Sequence, residues 1–221
     1  MWCEKPMSSN LPDSKKMLAA SKKSKGKTII GYNYTKNPAV LHARELIETG
    51  VIGDVAGFFC RYDVDNEADK KRPWSWRMSR KASGTGANGD ILSHVISVAH
   101  FLVGSTISKV VGDINIVHPK RKDPTNRKQT KTVDNDDMIS ALIHFQNGVH
   151  GHIGASRVTW GKKCGLTWEV HGTEGTIIFD QERLNEIKLF TRQKKKSTDG
   201  FRTCLLYTSD AADDMQCVDL G

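Results

Sequence analysis

The second half of the chain is a succession of short apolar segments joined by tight turns. The pattern predicts strands at 107–117, 137–146, 149–158, 166–171, 175–179 and 186–191. Asn147-Gly148 is typical of a two-residue hairpin turn, and residues 172–175 mark another turn. Because strands joined by such turns run antiparallel, this half must form a largely antiparallel sheet.

The first half contains three helical patterns and two further strand patterns. The helices are predicted at 12–25, 38–49 and 88–103, and the strands at 28–34 and 55–64. Residues 118–132 have no apolar face and are predicted to form an exposed loop. The order predicts an α+β (α/β) fold, with helices packed on one face of an open, mostly antiparallel sheet.

Charge is the strongest compositional feature of these 221 residues, which carry a formal net charge of +8. Basic runs at 15–27, 120–131 and 194–196 are interpreted as solvated faces, with nucleic-acid binding as the alternative. No apolar stretch approaches the roughly 20 residues that a membrane helix needs. The first residues lack the pattern of a signal peptide. We therefore expect a cytoplasmic protein without a membrane or nucleic-acid partner.

Asp90 and His94 are the clearest candidates for chemistry, four residues apart in an otherwise apolar helix. This spacing brings two side chains together on one face, where a carboxylate can orient an imidazole for proton transfer. Alternatively, Asp90 is a charge at the helix start and His94 a buried structural histidine. His150 and His152 alternate on one strand without a matching carboxylate, so no metal site is predicted.

Several motifs follow one another in a fixed order between residue 2 and about residue 203. They are Glu4-Lys5-Pro6, Gly50-Val51-Ile52-Gly53, Trp76-Arg77, residues 86–94, Leu102-Val103-Gly104 and Phe145-Gln146-Asn147-Gly148. In this order they resemble the Gfo/Idh/MocA oxidoreductases, which are NAD(P)-dependent sugar and polyol dehydrogenases. Residues 168–175 and 179–183 look most like the myo-inositol and levoglucosan dehydrogenase branch.

The resemblance implies two domains and a tail. Residues 1–34 would be the C-terminal remnant of a Rossmann dinucleotide-binding domain, whose glycine fingerprint would precede residue 1. Residues 35–203 would be a truncated substrate and oligomerisation domain. Residues 204–221 are expected to be disordered, because CLLYTSDAADD matches a translated transposon-end sequencing adapter. A natural acidic tail is the alternative.

The resemblance also implies roles for single residues. His94 would be the general acid/base, Asp90 would orient it, and Lys5 would hydrogen-bond the reacting hydroxyl. The residues expected to contact the cofactor, NAD or NADP, are Glu4, Lys5, Asn33, Trp76 and Arg77. The residues expected to contact the substrate are Tyr34, Trp74, Asn88, Asp90 and His94.

These features together predict a dehydrogenase that acts on a sugar or cyclic polyol and forms a homo-oligomer when full length. The 221 residues alone are expected to be inactive, since the pyrophosphate-binding fingerprint is missing from them. Two alternatives stay open. One is a non-catalytic family member that senses a ligand with the same pocket, and the other is a basic nucleic-acid-binding module.

Overall fold

The computed structural model describes residues 1–192, 199–206 and 217–218. The chain opens with a βαβ unit formed by strand β1 (Trp2–Cys3), helix α1 (Leu11–Lys23) and strand β2 (Ile29–Ile30), with β1 parallel to β2. The Asn10 side chain caps α1 by accepting from the Asp13 N–H. The helix predicted at 12–25 is therefore confirmed.

The strand predicted at 28–34 is wrong beyond residue 30. The Tyr32 N–H donates to the Ile30 carbonyl, so the chain turns there and cannot continue a ladder. Residues Asn33–Lys36 then form a 3₁₀ turn. This turn matters for the site because it carries two of the predicted contact residues.

Three further helices follow: α2 (Pro38–Glu48), the short α3 (Arg80–Ser83) and α4 (Ser93–Val103). The Asn37 side chain caps α2, and Gly104 ends α4 in the left-handed conformation that favours glycine. A π-helical turn at Asn88–Leu92 leads into α4. The helix predicted at 88–103 is thus correct in extent, but its first turn is wider than an α-helix.

The other strands, in chain order, are β3 (Val55–Asp63), β4 (Ile107–Asn115), β5 (Lys120–Lys122), β6 (Thr130–Thr132), β7 (Met138–Phe145), β8 (His150–Ser156), β9 (Gly165–Gly172), β10 (Gly175–Asp180), β11 (Glu186–Thr191), β12 (Arg202–Leu205) and β13 (Cys217–Val218). Nine of them form one sheet in the order β13-β12-β11-β10-β9-β3-β8-β7-β4. Within the described residues its single parallel pair is β3–β8. The predicted open, mostly antiparallel sheet is confirmed.

Helices α2 and α4 cover one face of this sheet. The buried side of α4 packs against β3 and β8, and α2 packs against α4. Val95, Val98 and Leu102 of α4 are fully buried in the same core as Phe58 of β3. This packing places the start of α4, with Asp90 and His94, at the end of the central strands.

Residues 118–132 are largely exposed, as their sequence predicts, but they are not a loop throughout. Strands β5 and β6 pair in an antiparallel hairpin, with Lys120 opposite Thr132. Arg121 is buried and donates to the backbone carbonyls of Glu67 and Asp69. The sequence did not predict the two strands because a buried arginine, and not an apolar face, anchors the hairpin.

The described part of the tail adds to the edge of the sheet. Strand β12 runs across the boundary expected at residue 203, and Cys204 and Leu206 are buried. Disorder is therefore not found for residues 204–206, while residues 207–216 and 219–221 lie outside the described residues, as do Lys194–Lys196. The adapter origin of the tail stays a prediction. No helix in the described ranges is long and apolar enough to cross a membrane.

Candidate active site

Lys5 and Asp90 form an ion pair that joins the βαβ unit to the sheet. The Lys5 Nζ atom lies 2.9 Å from the Asp90 Oδ1 atom and 2.5 Å from the Asp90 carbonyl oxygen. Lys5 follows β1, whereas Asp90 lies in the π-helical turn before α4. The ammonium group is therefore held by two acceptors from one residue.

The partner of Asp90 differs from the one that its spacing suggests. A four-residue separation brings side chains together on an α-helix, but Asp90 lies in a π-helical turn with wider hydrogen bonding. Its carboxylate takes Lys5 as a partner, and its charge acts on His94 through space. Asp90 is thus hydrogen-bonded to Lys5, and its predicted role of orienting His94 stays a prediction.

His94 is buried, with 7% of its surface exposed, beside three tyrosine rings. The ring-centroid distances to Tyr32, Tyr34 and Tyr62 are 6.0, 4.7 and 6.0 Å, all edge-on. The Nδ1 atom is buried without a hydrogen-bond partner among the described residues. Burial, and then the positive charge of Lys5, lower the pKa of His94 to about 4. The imidazole is therefore neutral near pH 7 and can accept a proton.

Two cavities meet at Glu4 and Lys5. The larger, of about 1110 Å³, is also lined by Asn33, Tyr34 and His94. The other, of about 830 Å³, adds four predicted residues: Trp76, Arg77, Asn88 and Asp90. The structure therefore brings nine of the ten predicted site residues to two adjoining spaces.

Trp74 is the predicted site residue that the structure places elsewhere. It is absent from the lining of both cavities. Its Nε1–H donates to the Thr132 carbonyl at 3.0 Å, and the Lys131 Nζ atom lies 4.9 Å from its ring. Trp74 thus packs on the β5–β6 hairpin, whose existence the sequence did not predict.

The loop before the π-helical turn is held by Asp136, which the sequence did not single out. Its carboxylate accepts from the backbone N–H groups of Gly86 and Asn88, at 2.9 and 2.6 Å. A Cβ atom on Gly86 would overlap the backbone oxygen of Asp136. Glycine is therefore needed for this close approach, and the loop presents Asn88 to the smaller cavity.

A buried polar network behind this loop was also missed. Arg157 donates to Asp137 Oδ1 at 2.8 Å and to Asn135 Oδ1 at 2.9 Å. Asn135 in turn donates to the Arg77 carbonyl at 2.7 Å. The only hint in the sequence is the polar run of residues 134–137 directly before a strand, which is indistinguishable from an exposed loop.

Comparison with known proteins gives the family. The GFO/IDH/MocA C-terminal domain matches residues 40–178. The chain belongs to the GFO/IDH/MocA family. The resemblance inferred from the ordered motifs is therefore confirmed, including its likeness to the levoglucosan and inositol dehydrogenases.

Named family members support this placement. Levoglucosan dehydrogenase from Pseudarthrobacter phenanthrenivorans is 35% identical over 95% of this chain and 56% of its own length. Myo-inositol 2-dehydrogenase from Thermotoga maritima is 26% identical over 87% of this chain and 53% of its own length. A solved levoglucosan dehydrogenase, in complex with NADH and L-sorbose, has a TM-score of 0.89 and 36% identity, covering 95% of this chain and 55% of that chain. The chain spans about half the length of these relatives.

Histidines on the uncovered face of the sheet do not form a metal centre. His144 and His150 lie opposite each other with ring centroids 5.3 Å apart, without a carboxylate in the pair. Across the described residues, no group of three His, Cys, Asp or Glu side chains is arranged to hold a metal ion.

Proposed function

We propose that this chain supplies the substrate site and the proton-transfer residues of an NAD(P)-dependent dehydrogenase. Its substrate would be a secondary alcohol of a sugar or cyclic polyol. The observation that carries the proposal is the Lys5–Asp90 pair, which lies beside a buried, neutral His94 at the junction of two cavities. The names of the levoglucosan and myo-inositol dehydrogenase relatives support the substrate class.

Lys5 and His94 have different roles at the reacting hydroxyl group. The Lys5 ammonium donates a hydrogen bond to the hydroxyl oxygen and stabilises the negative charge that develops there. The neutral His94 takes the proton, a step that contributes about 10²–10⁴-fold in enzymes generally. Asp90 keeps the lysine in place and compensates its charge.

The cofactor would lie against Glu4, Lys5, Asn33, Trp76 and Arg77. All five line the two adjoining cavities, and the unpartnered Nδ1 atom of His94 marks a polar group that a ligand could complete. These residues therefore fit the nicotinamide end of a dinucleotide. A bound NAD or NADP would supply the acceptor for the hydride that leaves the carbinol carbon.

Tyr34, Asn88, Asp90 and His94 supply the polar groups that a hydroxyl-rich ring requires. They belong to three different segments that converge on the two adjoining cavities, Tyr34 and His94 on the larger and Asn88 and Asp90 on the smaller, and such convergence is typical of a site for a small polar ligand. Trp74 remains a predicted substrate contact that the present geometry does not support. We further propose that the complete enzyme is a cytoplasmic homo-oligomer and that residues 1–34 belong to its Rossmann domain.

Turnover in the full-length protein that carries this chain tests the function. We expect reduction of NAD⁺ or NADP⁺ with levoglucosan or myo-inositol, and a loss of about 100-fold or more in kcat/KM for Lys5→Met and for His94→Gln. Lys16→Met, in the exposed part of α1, is the matched control and should retain activity. Cofactor binding without turnover of any sugar or polyol would instead favour the ligand-sensing alternative.

The isolated chain offers a second test. We propose that residues 1–221 alone bind no nicotinamide cofactor measurably, because no Gly-x-Gly-x-x-Gly directly after a strand occurs in them. Residues 84–89 fit that spacing but follow helix α3. Calorimetric titration with NADH and NADPH measures this directly. Submicromolar binding would contradict the proposal that these residues need the rest of a Rossmann domain.

A further inference from the structure

Tyr62 makes a hydrogen-bonded contact beside the candidate active site without a role in the proposed reaction. It lies near the end of β3, and its hydroxyl oxygen is 2.7 Å from the hydroxyl oxygen of Tyr34. The Cys164 Sγ atom, just before β9, lies 3.4 Å from both hydroxyls. Three separate segments of the chain therefore meet at one hydrogen-bonded cluster.

The cluster determines where the Tyr34 ring lies. That ring meets the His94 ring edge-on with 4.7 Å between centroids, and the Tyr62 ring also meets it edge-on, with 6.0 Å between centroids. Tyr34 sits in a 3₁₀ turn, which by itself leaves its side chain free to rotate. The hydroxyl bonds to Tyr62 and Cys164 remove that freedom.

We propose that Tyr62 is a positioning residue that clamps Tyr34 against His94 and excludes water from that side of the imidazole. The inference rests on the proposed function of His94 as the proton acceptor. Tyr62 is not among the described residues that line the cavity of Lys5 and His94. It therefore acts through Tyr34 and through its own ring, without touching the substrate.

The physical effect is desolvation. Aromatic rings that cover an imidazole remove the water that would stabilise its charged form. Burial is the largest cause that lowers the pKa of His94 to about 4, the charge of Lys5 adds to it, and Asp90 opposes it. The titratable groups around His94 are Lys5 after β1, Tyr32 and Tyr34 after β2, Tyr62 of β3, Asp90 of the π-helical turn, and Cys164 behind the two tyrosines.

Titration of the histidines by NMR in the 221-residue chain tests the clamp without cofactor or substrate. We expect Tyr62→Leu to raise the pKa of His94 by about one pH unit or more towards its ordinary value, because water reaches the ring. His100, near the other end of α4, is the internal control. Burial also lowers its pKa, but its ring accepts from Ile107 N–H, so its titration should not move.

Tyr62→Phe keeps the ring and removes only the hydroxyl. We expect the pKa of His94 to rise less than in Tyr62→Leu, and the chemical shifts of its ring protons to move, because the Tyr34 hydroxyl loses one of its two partners while both aromatic rings remain. In the full-length enzyme, kcat/KM should fall about three- to tenfold for the loss of this hydrogen bond. Circular dichroism establishes that each variant is folded.

Two results would each overturn the inference. One is an unchanged His94 titration in folded Tyr62→Leu, and the other is unchanged His94 ring-proton shifts in Tyr62→Phe. Both readouts concern the geometry around His94 alone. They remain decisive if the full-length protein fails to oxidise a polyol, so failure of the clamp is distinguishable from failure of the proposed function.

Discussion

At the scale of single residues, the site depends on where charge is placed. Among the described residues, the Asp90 carboxylate pairs with Lys5 and not with His94, so His94 keeps the low pKa that burial gives it. An imidazole held by a carboxylate would instead be more basic and partly protonated near neutral pH. The arrangement favours a base that is neutral over a wide range of pH.

The pH dependence of turnover follows from this placement. Protonation of His94 removes the proton acceptor, so kcat/KM should fall as the pH falls through the pKa of His94. Because that pKa is about 4, we expect the acidic limb of the profile well below pH 6.5. A profile of kcat/KM in the full-length protein measures it. An acidic limb near 6.5 would show that His94 is solvated or is not the base.

The buried pair of Arg157 and Asp137 should matter far more for stability than exposed pairs do. Both side chains are almost fully buried, and Asp137 also accepts from the backbone N–H of Val117. Asp137→Asn leaves the arginine charge unpaired, so we expect a loss of about 3–5 kcal/mol in the free energy of unfolding. Urea denaturation measures it. In the exposed Lys162–Glu182 pair, the control Glu182→Gln should cost less than about 0.5 kcal/mol.

At the scale of elements, the loop before α4 has no room for a side chain at Gly86. Gly86→Ala would drive a Cβ atom into the Asp136 backbone, which we expect to cost about 1–3 kcal/mol and to displace Asn88. Gly26→Ala is the matched control, since only the Ser24 hydroxyl is near and contact is ordinary. Denaturant unfolding of both variants compares them. Equal stabilities would mean that the loop relaxes without strain.

The elements also show what the sequence could and could not predict. Helices α1, α2 and α4 follow from caps and apolar periodicity, which are local properties. The pairing of β3 between β8 and β9 joins strands far apart in the chain, so no local pattern reports it. Tertiary contacts also produce the π-helical turn, the β5–β6 hairpin and the Tyr62 cluster. The sequence therefore did not predict these three features. Candidate site residues were found through ordered motifs, which carry no information about residues such as Asp136.

At the scale of the whole molecule, no helix of the part of the chain that the structure describes covers the second face of the sheet. Val111, Leu142, His152 and Phe59 are cross-strand neighbours in one row over four strands, and Leu142 is 62% exposed. An apolar row of this kind is typical of a surface that another protein covers. We propose that this row is the contact between two copies in the homo-oligomer proposed above.

Sedimentation velocity tests this contact. We expect the chain to dimerise and Leu142→Lys to shift it to the monomer, because a lysine would be desolvated in the middle of the interface. Leu18→Lys, at a similarly exposed leucine of α1, should leave the distribution unchanged. Dimers that persist in Leu142→Lys would place the interface elsewhere.

The ion pair between Lys5 and Asp90 has a consequence for how the molecule is assembled. One partner follows the first strand of the βαβ unit, and the other precedes α4 on the sheet. Neither the βαβ unit nor the sheet with its helices contains both Lys5 and Asp90. The proposed reactive centre is therefore complete only when the two units have docked. A molecule in which the two units are misdocked would lack the proposed reactive centre, so turnover of the proposed substrate would also report correct assembly.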